Sequence, residues 1–352
     1  MNKEFELKSK LNDNRDQKIN DIIIANFKKR LREQVDYLKT LPNPPQRSKE
    51  WFLLRINKIT ASMLAPLLKI GRYGSRRDVI GEKAGCLESS FSGNMYTHWG
   101  TDFEEEATKL YEKLFNTKIT EFSLIEHPKY SFLGASPDGI ADDGTMLEIK
   151  CPPKRAITGI VPDYYDCQMQ LQMEVCDLEV CDFLECLFVK YASEKEFLLD
   201  DNFSVEINGF GNNDKYFERV HCNGANDEFV DPKTGHSIFK GTRVKSQYEI
   251  DQDMCQGVDE EDIHKTVYWK LERVSCVHVA RDREWFNLVL PELEKAWGEI
   301  EKYREHPEQF PIDYPVKAKR VINSAVFNME TGESESTEKI SQRESYTFAN
   351  LL

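Results

Sequence analysis

The spacing of apolar and polar positions divides the chain into helices and strands before any other property is needed. Over residues 17–39, Ile19, Ile23, Phe27, Leu31, Val35 and Leu38 recur every three or four positions, which predicts an amphipathic helix. Leu41-Pro42-Asn43-Pro44-Pro45 ends it, because proline lacks an amide donor and drives its predecessor out of the helical region. Lys28-Lys29-Arg30 on this helix reads as a solvated face. Residues 47–83 read as a short helix entering a loop that holds Gly71, Gly74 and Gly81. A helix is predicted over 102–115, with Phe103, Ala107, Leu110, Tyr111 and Leu114 on one face. Strands are predicted over 119–125, 132–135 and 146–149, bounded by the turns Pro137-Asp138-Gly139 and Asp142-Asp143-Gly144. A helix over 164–175 and an apolar strand over 181–189 follow, and this order of elements indicates a mixed α/β core.

Periodicity weakens over 194–264, which reads as an inserted, poorly packed or separately folded segment. It resumes as a strand over 266–280. A helix capped by Asp282 comes next, with Trp285, Leu288, Leu293, Trp297 and Ile300 inward and a bend at Pro291. Residues 329–345 are rich in Ser, Thr and Glu and are expected to be disordered. The resulting partition is a helical extension (1–46), a core in two parts (47–193 and 265–305), an acidic insertion (194–264) and a tail (306–352).

Composition changes this picture in two places. The chain has 352 residues and a net charge of −14, which taken whole argues against a partner rich in phosphate. Locally the balance differs: residues 47–83 hold nine basic and three acidic side chains, whereas 201–264 hold six basic and fourteen acidic ones. More than half of the excess negative charge therefore sits in the insertion, and the segment before the core is a basic island. Nine cysteines, with no C-x2-C pair, argue against a zinc ribbon and a secreted disulfide framework, so a reduced intracellular compartment is expected. The first ten residues hold no apolar signal stretch, and no apolar run approaches 18 residues, so no membrane association is expected.

Candidate chemistry concentrates in Ser136-Pro137-Asp138-Gly139 and Leu147-Glu148-Ile149-Lys150-Cys151-Pro152. Side chains alternate along a strand, so Glu148 and Lys150 share one face while Leu147 and Ile149 take the other. The Asp142-Asp143-Gly144 turn brings the Asp138 segment alongside. Two carboxylates converging with an ammonium suit a hard divalent cation, magnesium or manganese rather than zinc. Such a site would orient a water for attack on a phosphodiester. The same residues also read as a surface cross-strand pair beside an ordinary turn, and Glu6-Leu7-Lys8 has the same form with no aspartate before it.

Three further features favour the site. Glu104 lies on the apolar-faced side of its helix beside Phe103 and Ala107, whereas Glu105 and Glu106 read as a solvated run. Gln168 and Gln172 are four apart and share a helix face. Trp51, Arg55, Thr60 and Ser62 fall in the basic island, where Arg55 can clamp a phosphate with its planar fork and Ser62 can donate a hydroxyl hydrogen.

Trp51-x3-Arg55, Ile59-Thr60-Ala61-Ser62, Gly100-x3-Glu104, Gly134 to Gly139, Leu147 to Pro152 and Gln168-x-Gln170-x-Gln172 together resemble the YqaJ-type viral recombinases. That family includes the phage lambda exonuclease, within the PD-(D/E)xK nuclease superfamily. The resemblance covers residues 47–190 and, more weakly, 266–303. It implies a restriction-endonuclease-like core, a mixed central sheet flanked by helices. It further implies Asp138, Glu148 and the carbonyl of Ile149 as metal ligands, Glu104 as a further acidic ligand, Lys150 as the catalytic lysine and Gln168 as the active-site glutamine. Arg55, Ser62 and Ser136 would hold the 5′ phosphate of the degraded strand. The family implies Mg2+-dependent 5′ to 3′ digestion of double-stranded DNA ends, with Mn2+ as the second candidate ion, a toroidal homotrimer, a single-strand annealing partner, and host cytoplasm or nucleus as the setting. The acidic insertion, N-terminal helix and C-terminal tail have no counterpart in it.

Rival readings are an endonuclease of the same superfamily, an RNA-degrading relative like those among herpesvirus alkaline nucleases, and a non-catalytic DNA-end-binding module. Asp138, Glu148 and Lys150 are all present, which a binding module would not require. Cys151, Cys167 and Cys176 are too widely spaced for an iron–sulfur cluster. His221, Cys222 and His236 lack ligand spacing and read as surface residues.

Overall fold

The computed structural model describes residues 2–45, 48–71, 74–88, 95–210, 217–223, 239–245 and 266–315. For 2–19, 95–97, 202, 203, 208–210 and 217–223 the backbone alone is described. His236, Arg47, Arg72, the 329–345 stretch and the side chains of His221 and Cys222 lie outside the described residues.

The helices are α1 (Asn2–Leu38), α2 (Lys49–Ile56), α3 (Leu64–Leu67), α4 (Arg76–Ala84), α5 (Met95–Phe115), α6 (Asp163–Cys176), α7 (Glu194–Leu199), α8 (Arg283–Glu305) and α9 (Phe310–Asp313). The strands are β1 (Ile59–Thr60), β2 (Ile119–Thr120), β3 (Ile125–Glu126), β4 (Leu133–Ala135), β5 (Gly139–Ala141), β6 (Met146–Lys150), β7 (Val180–Lys190), β8 (Asn202–Phe210), β9 (Phe217–Asn223), β10 (Lys240–Val244) and β11 (Thr266–Ala280). Among the described residues they form a small sheet, β1-β4-β3, and a larger one, β2-β5-β6-β7-β11-β8-β9, with β10 also on β11. The β5–β6 hairpin is antiparallel, and α6 crosses over from β6 to its parallel neighbour β7.

Two apolar clusters cover the larger sheet. One gathers Met146, Phe183 and the buried residues of α6 and α8, together with Leu31, Val35 and Leu38 of α1. The other packs Phe103, Ala107, Leu110 and Tyr111 of α5 on Leu147, Leu184, Phe188, Trp269 and Leu271. The alternation along β6 thus sends Leu147 and Ile149 to the α5 side and leaves Glu148 and Lys150 toward α6. Local chemistry sets the helix ends: Ser48 and Asp282 accept from the amides of Trp51 and Trp285, and Gly85 ends α4 at φ +77°.

Some expectations need correction. Leu288 is 59% exposed, not inward; the buried stripe of α8 runs through Trp285, Val289, Leu293, Ala296, Ile300 and Tyr303. That stripe advances by three and four residues, and position 288 lies off its edge. Ile23 and Phe27 are exposed as well; among the described side chains of α1, the buried apolar ones are Leu31, Val35 and Leu38. The 194–264 segment is not loosely attached where it is described. Its strand β8 pairs in parallel with β11 and its strand β10 antiparallel with the same strand, and Phe197, Val205 and Phe239 are buried.

Candidate active site

Asp138 sits at the entry to β5, and Glu148 and Lys150 near the end of β6, so hairpin pairing (Gly139 opposite Leu147) brings the three together. Gly139 is required there, since a Cβ would stand 2.2 Å from Ile119 Cγ2. The Ile149 amide donates to Asp138 Oδ2 at 2.6 Å. Glu148 is fully buried. Lys150 and Gln168 donate to its Oε1, Gln168 at 2.7 Å, and Gln172 donates to its Oε2 at 2.8 Å. The two glutamines reach one carboxylate because four residues make about one helical turn of α6.

Gln170, between these two in sequence, joins other elements: it donates to the carbonyl of Ala280 at 3.0 Å and accepts from the Asp282 amide at 2.7 Å. It ties the end of β11 to the start of α8.

The electrostatics follow from crowding carboxylates in a partly buried site. Burial pushes the Asp138 carboxyl well above its ordinary value, and Glu148 and Glu104 push it further. Burial alone would lower the Lys150 ammonium, but Glu148 and Asp138 outweigh it and hold the lysine charged above its usual range. Lys150 also lies over the Tyr165 ring at 5.1 Å. Glu104 is half-buried on α5, while Glu105 is exposed and paired with Lys109 at 2.8 Å.

The Arg55, Ser62 and Ser136 group is assembled by the small sheet. β1 pairs in parallel with β4, Thr60 opposite Gly134, so Ser62 and Ser136 each follow that pair by two residues. Arg55 Nη2 donates to Ser62 Oγ at 3.2 Å and its guanidinium stacks on Trp51 at 4.9 Å. Ser136 Oγ is buried with no hydrogen-bond partner, and its carbonyl accepts from Gln172 at 3.5 Å, which joins this group to the carboxylates. Lys83 and Arg304 hold the end of α2 behind Arg55 by donating to the carbonyls of Arg55 and Ile56. Burial, with Arg55 and Arg304 close by, pushes Lys83 down to about 7.

Sequence reasoning missed Arg155 and Glu185. Glu185 is fully buried on β7 beside Lys150 and accepts from Arg155, which in turn flanks Tyr165 at 5.7 Å. The available signal was a pair of acids, Asp182 and Glu185, inside an otherwise apolar strand.

The donor set offers carboxylate and carbonyl oxygens, suited to a hard cation. Among the described residues, no group of three or more His, Cys, Asp or Glu side chains is gathered closely enough to hold an ion. An ion here would rest on Asp138 and Glu148, with main-chain oxygen and water completing its shell. The seven described cysteines are free thiols, and no described helix is long and apolar enough to cross a membrane.

A hairpin bearing an aspartate and a Glu-x-Lys strand, followed by a crossover helix to a parallel strand and flanked by helices, forms a mixed α/β core. Residues 50–179 match the model of the YqaJ-like viral recombinase domain. Uncharacterized protein R354 of Acanthamoeba polyphaga mimivirus is 26% identical over 336 residues, covering 84% of this chain and 60% of that protein. A protein of African swine fever virus (strain Badajoz 1971 Vero-adapted) is 27% identical over 159 residues, covering 36% of this chain and 45% of the relative. The chain thus spans less than two thirds of the length of either. Among solved structures, the alkaline exonuclease LHK-Exo of Laribacter hongkongensis aligns at a TM-score of 0.45 and 21% identity, covering 76% of this chain and 100% of that one. A phage-related exonuclease of Haemophilus somnus 129PT aligns at 0.38 and 14%, covering 72% and 95%.

Proposed function

We propose that the protein is a divalent-metal-dependent exonuclease that degrades double-stranded DNA from 5′-phosphorylated ends in viral DNA recombination. The observation that carries this reading is the joining of two groups through α6: Gln172 bonds both to Glu148 and to the carbonyl of Ser136, beside Arg55 and Ser62. Asp138 and Glu148 would hold the ion, Mg2+ or Mn2+, which when bound offsets charge on the phosphoryl oxygens and lowers the pKa of water. Lys150 keeps its proton and supplies positive charge beside the attacked phosphorus, while Gln168 fixes the Glu148 carboxylate on which the water is oriented. Arg55 and Ser62 donate to the terminal phosphate, and the orphan hydroxyl of Ser136 gains its missing partner there. The core in two parts (47–193 and 265–305) is the proposed catalytic unit.

End-labelled linear, circular and single-stranded DNA, digested with Mg2+, EDTA or Ca2+, tests the reading. Linear duplex with a 5′ phosphate should be consumed in Mg2+ and spared in EDTA or Ca2+. Cleavage of circles would assign an endonuclease, activity on RNA alone a ribonuclease, and binding without cleavage an end-binding module. Arg55→Ala should erase the preference for phosphorylated over hydroxyl 5′ ends. The resemblance extends the proposal to a homotrimer with a single-strand annealing partner, and light scattering at the mass of three chains checks the first.

A further inference from the structure

Among the described residues, strand β10 of the 194–264 segment reaches the helix that carries Glu104. Strand β10 lies antiparallel on the first five residues of β11, Gly241 opposite Trp269. A Cβ on Gly241 would stand 2.7 Å from Trp269 Cζ2, so bare backbone lies against the indole. Phe239, just before the strand, is buried and its carbonyl accepts from the Leu271 amide at 2.7 Å, which fixes the register.

Two residues on from Gly241, Arg243 points into the α5 side of the sheet. Its side chain is 7% exposed, its guanidinium lies 4.6 Å from the Phe103 ring centroid, and Nη2 is 3.5 Å from Asp102 Oδ2. Nη1 donates to the carbonyl of Val244 at 3.0 Å. Phe103 is itself the hub of an aromatic group, 4.8 Å from Trp99, 4.6 Å from Phe188 and 6.3 Å from Trp269. A guanidinium loses much hydration when buried, and an ion pair plus an aromatic face offset that loss only when the geometry is held. The two residues it engages, Asp102 and Phe103, immediately precede Glu104, on the stretch of α5 that packs through Phe103 and Ala107 on Leu147 and Ile149, the neighbours of Glu148 in β6.

We propose that Arg243 is a positioning residue: by gripping Asp102 and Phe103 from strand β10, it sets the turn of α5 that presents Glu104 to the Asp138–Glu148 site. The acidic segment would then be part of the catalytic scaffold rather than an appendage. This rests on the proposed metal-dependent nuclease activity.

The test compares wild type with Arg243→Ala, Arg243→Lys and Asp102→Asn in the full chain. On 5′-phosphorylated linear duplex, Arg243→Ala should lower kcat and raise the half-activating Mg2+ concentration, each about 10-fold, with KM for DNA unchanged. Arg243→Lys keeps charge but loses the planar stack, and should recover part of both; Asp102→Asn should fall between. A purely structural role would lower the melting temperature without moving the metal dependence. Amide hydrogen exchange along α5 provides a readout free of activity, and exchange over 99–107 should quicken in Arg243→Ala. Wild-type kcat and metal dependence in Arg243→Ala would overturn the proposal. If the wild-type protein hydrolysed no DNA, the nuclease reading would fail instead, and exchange at α5 would decide: faster exchange supports the grip, unchanged exchange overturns it. Should Arg243→Ala fail to fold, Arg243→Lys and Asp102→Asn give the same readings.

Discussion

Two clusters of charge lie along α6 and behave oppositely. In one, Asp138, Glu148 and Lys150 crowd together. Burial and neighbouring carboxylates drive Asp138 up, and Glu148 is satisfied by two neutral amides and one lysine. In the other, Arg281, only 4% exposed, donates to Glu174 and to Asp177, the latter at 2.8 Å, while Arg30 and Arg283 share Glu179. Burial alone would raise Glu174, but His127 and Arg281 more than offset it and hold the carboxyl below its ordinary value. In the second cluster cations match anions, and the network fastens α1 and α8 to α6. In the first, negative charge is left in excess, which supports the proposed cation-binding role of Asp138 and Glu148. A buried charge cluster is therefore informative less by its presence than by the direction in which it moves its members.

The largest expected effect breaks the first cluster. Glu148→Gln should reduce turnover on duplex DNA by on the order of 10³-fold while DNA binding by gel shift persists. Normal activity would remove Glu148 from the site and dissolve the contrast between the clusters. In the second cluster, Arg281→Met leaves Glu174 and Asp177 without their shared cation. It should cost about 3 kcal/mol in denaturant unfolding, with turnover per folded molecule unchanged. A loss of turnover at full stability would show that the network serves chemistry.

The smallest effect sharpens the comparison most. Asp138→Asn removes one of the crowded charges and keeps an acceptor for the Ile149 amide, so it should gain about 1 kcal/mol of stability at neutral pH while abolishing activity. The folded-state carboxyl of Asp138 titrates above its unfolded value, so its ionisation weakens the fold at neutral pH and protonation relieves this as pH falls through the folded pKa. The advantage of asparagine should accordingly shrink toward acid pH in melting curves. A constant advantage would mean that Asp138 is not the strained member.

Much of this architecture was legible along the chain. The same-face placement of Glu148 and Lys150, the strand that ends at Ala280, the Asp282 cap and the shared face of Gln168 and Gln172 all follow from periods of two and 3.6. Leu288 misled because helical stripes drift and only the packed partner says where the stripe is centred. β8 and β10 were hidden for a different reason. β8 does alternate, with Phe203, Val205 and Ile207 apolar, but that short pattern is set in an acidic stretch that outweighed it, whereas β10 (Lys240–Val244) has no apolar alternation and is a strand through its long-range pairing with β11. Arg243 and Arg155 were hidden likewise, since a basic residue in a polar stretch looks solvated until its partner is known.

By itself the sequence determined the local elements and the chemical types at the site: an aspartate in a turn, a Glu-x-Lys strand, paired glutamines and a basic segment ahead of them. These are properties of short stretches, governed by side-chain alternation, capping and composition. Only the tertiary structure decided that β1 and β4 pair to bring Ser62 and Ser136 level, that α6 links them to Glu148, and that an acidic segment reaches back to hold α5. Such contacts join residues far apart in the chain, and their energy comes from burial and pairing that exist only once the parts have met.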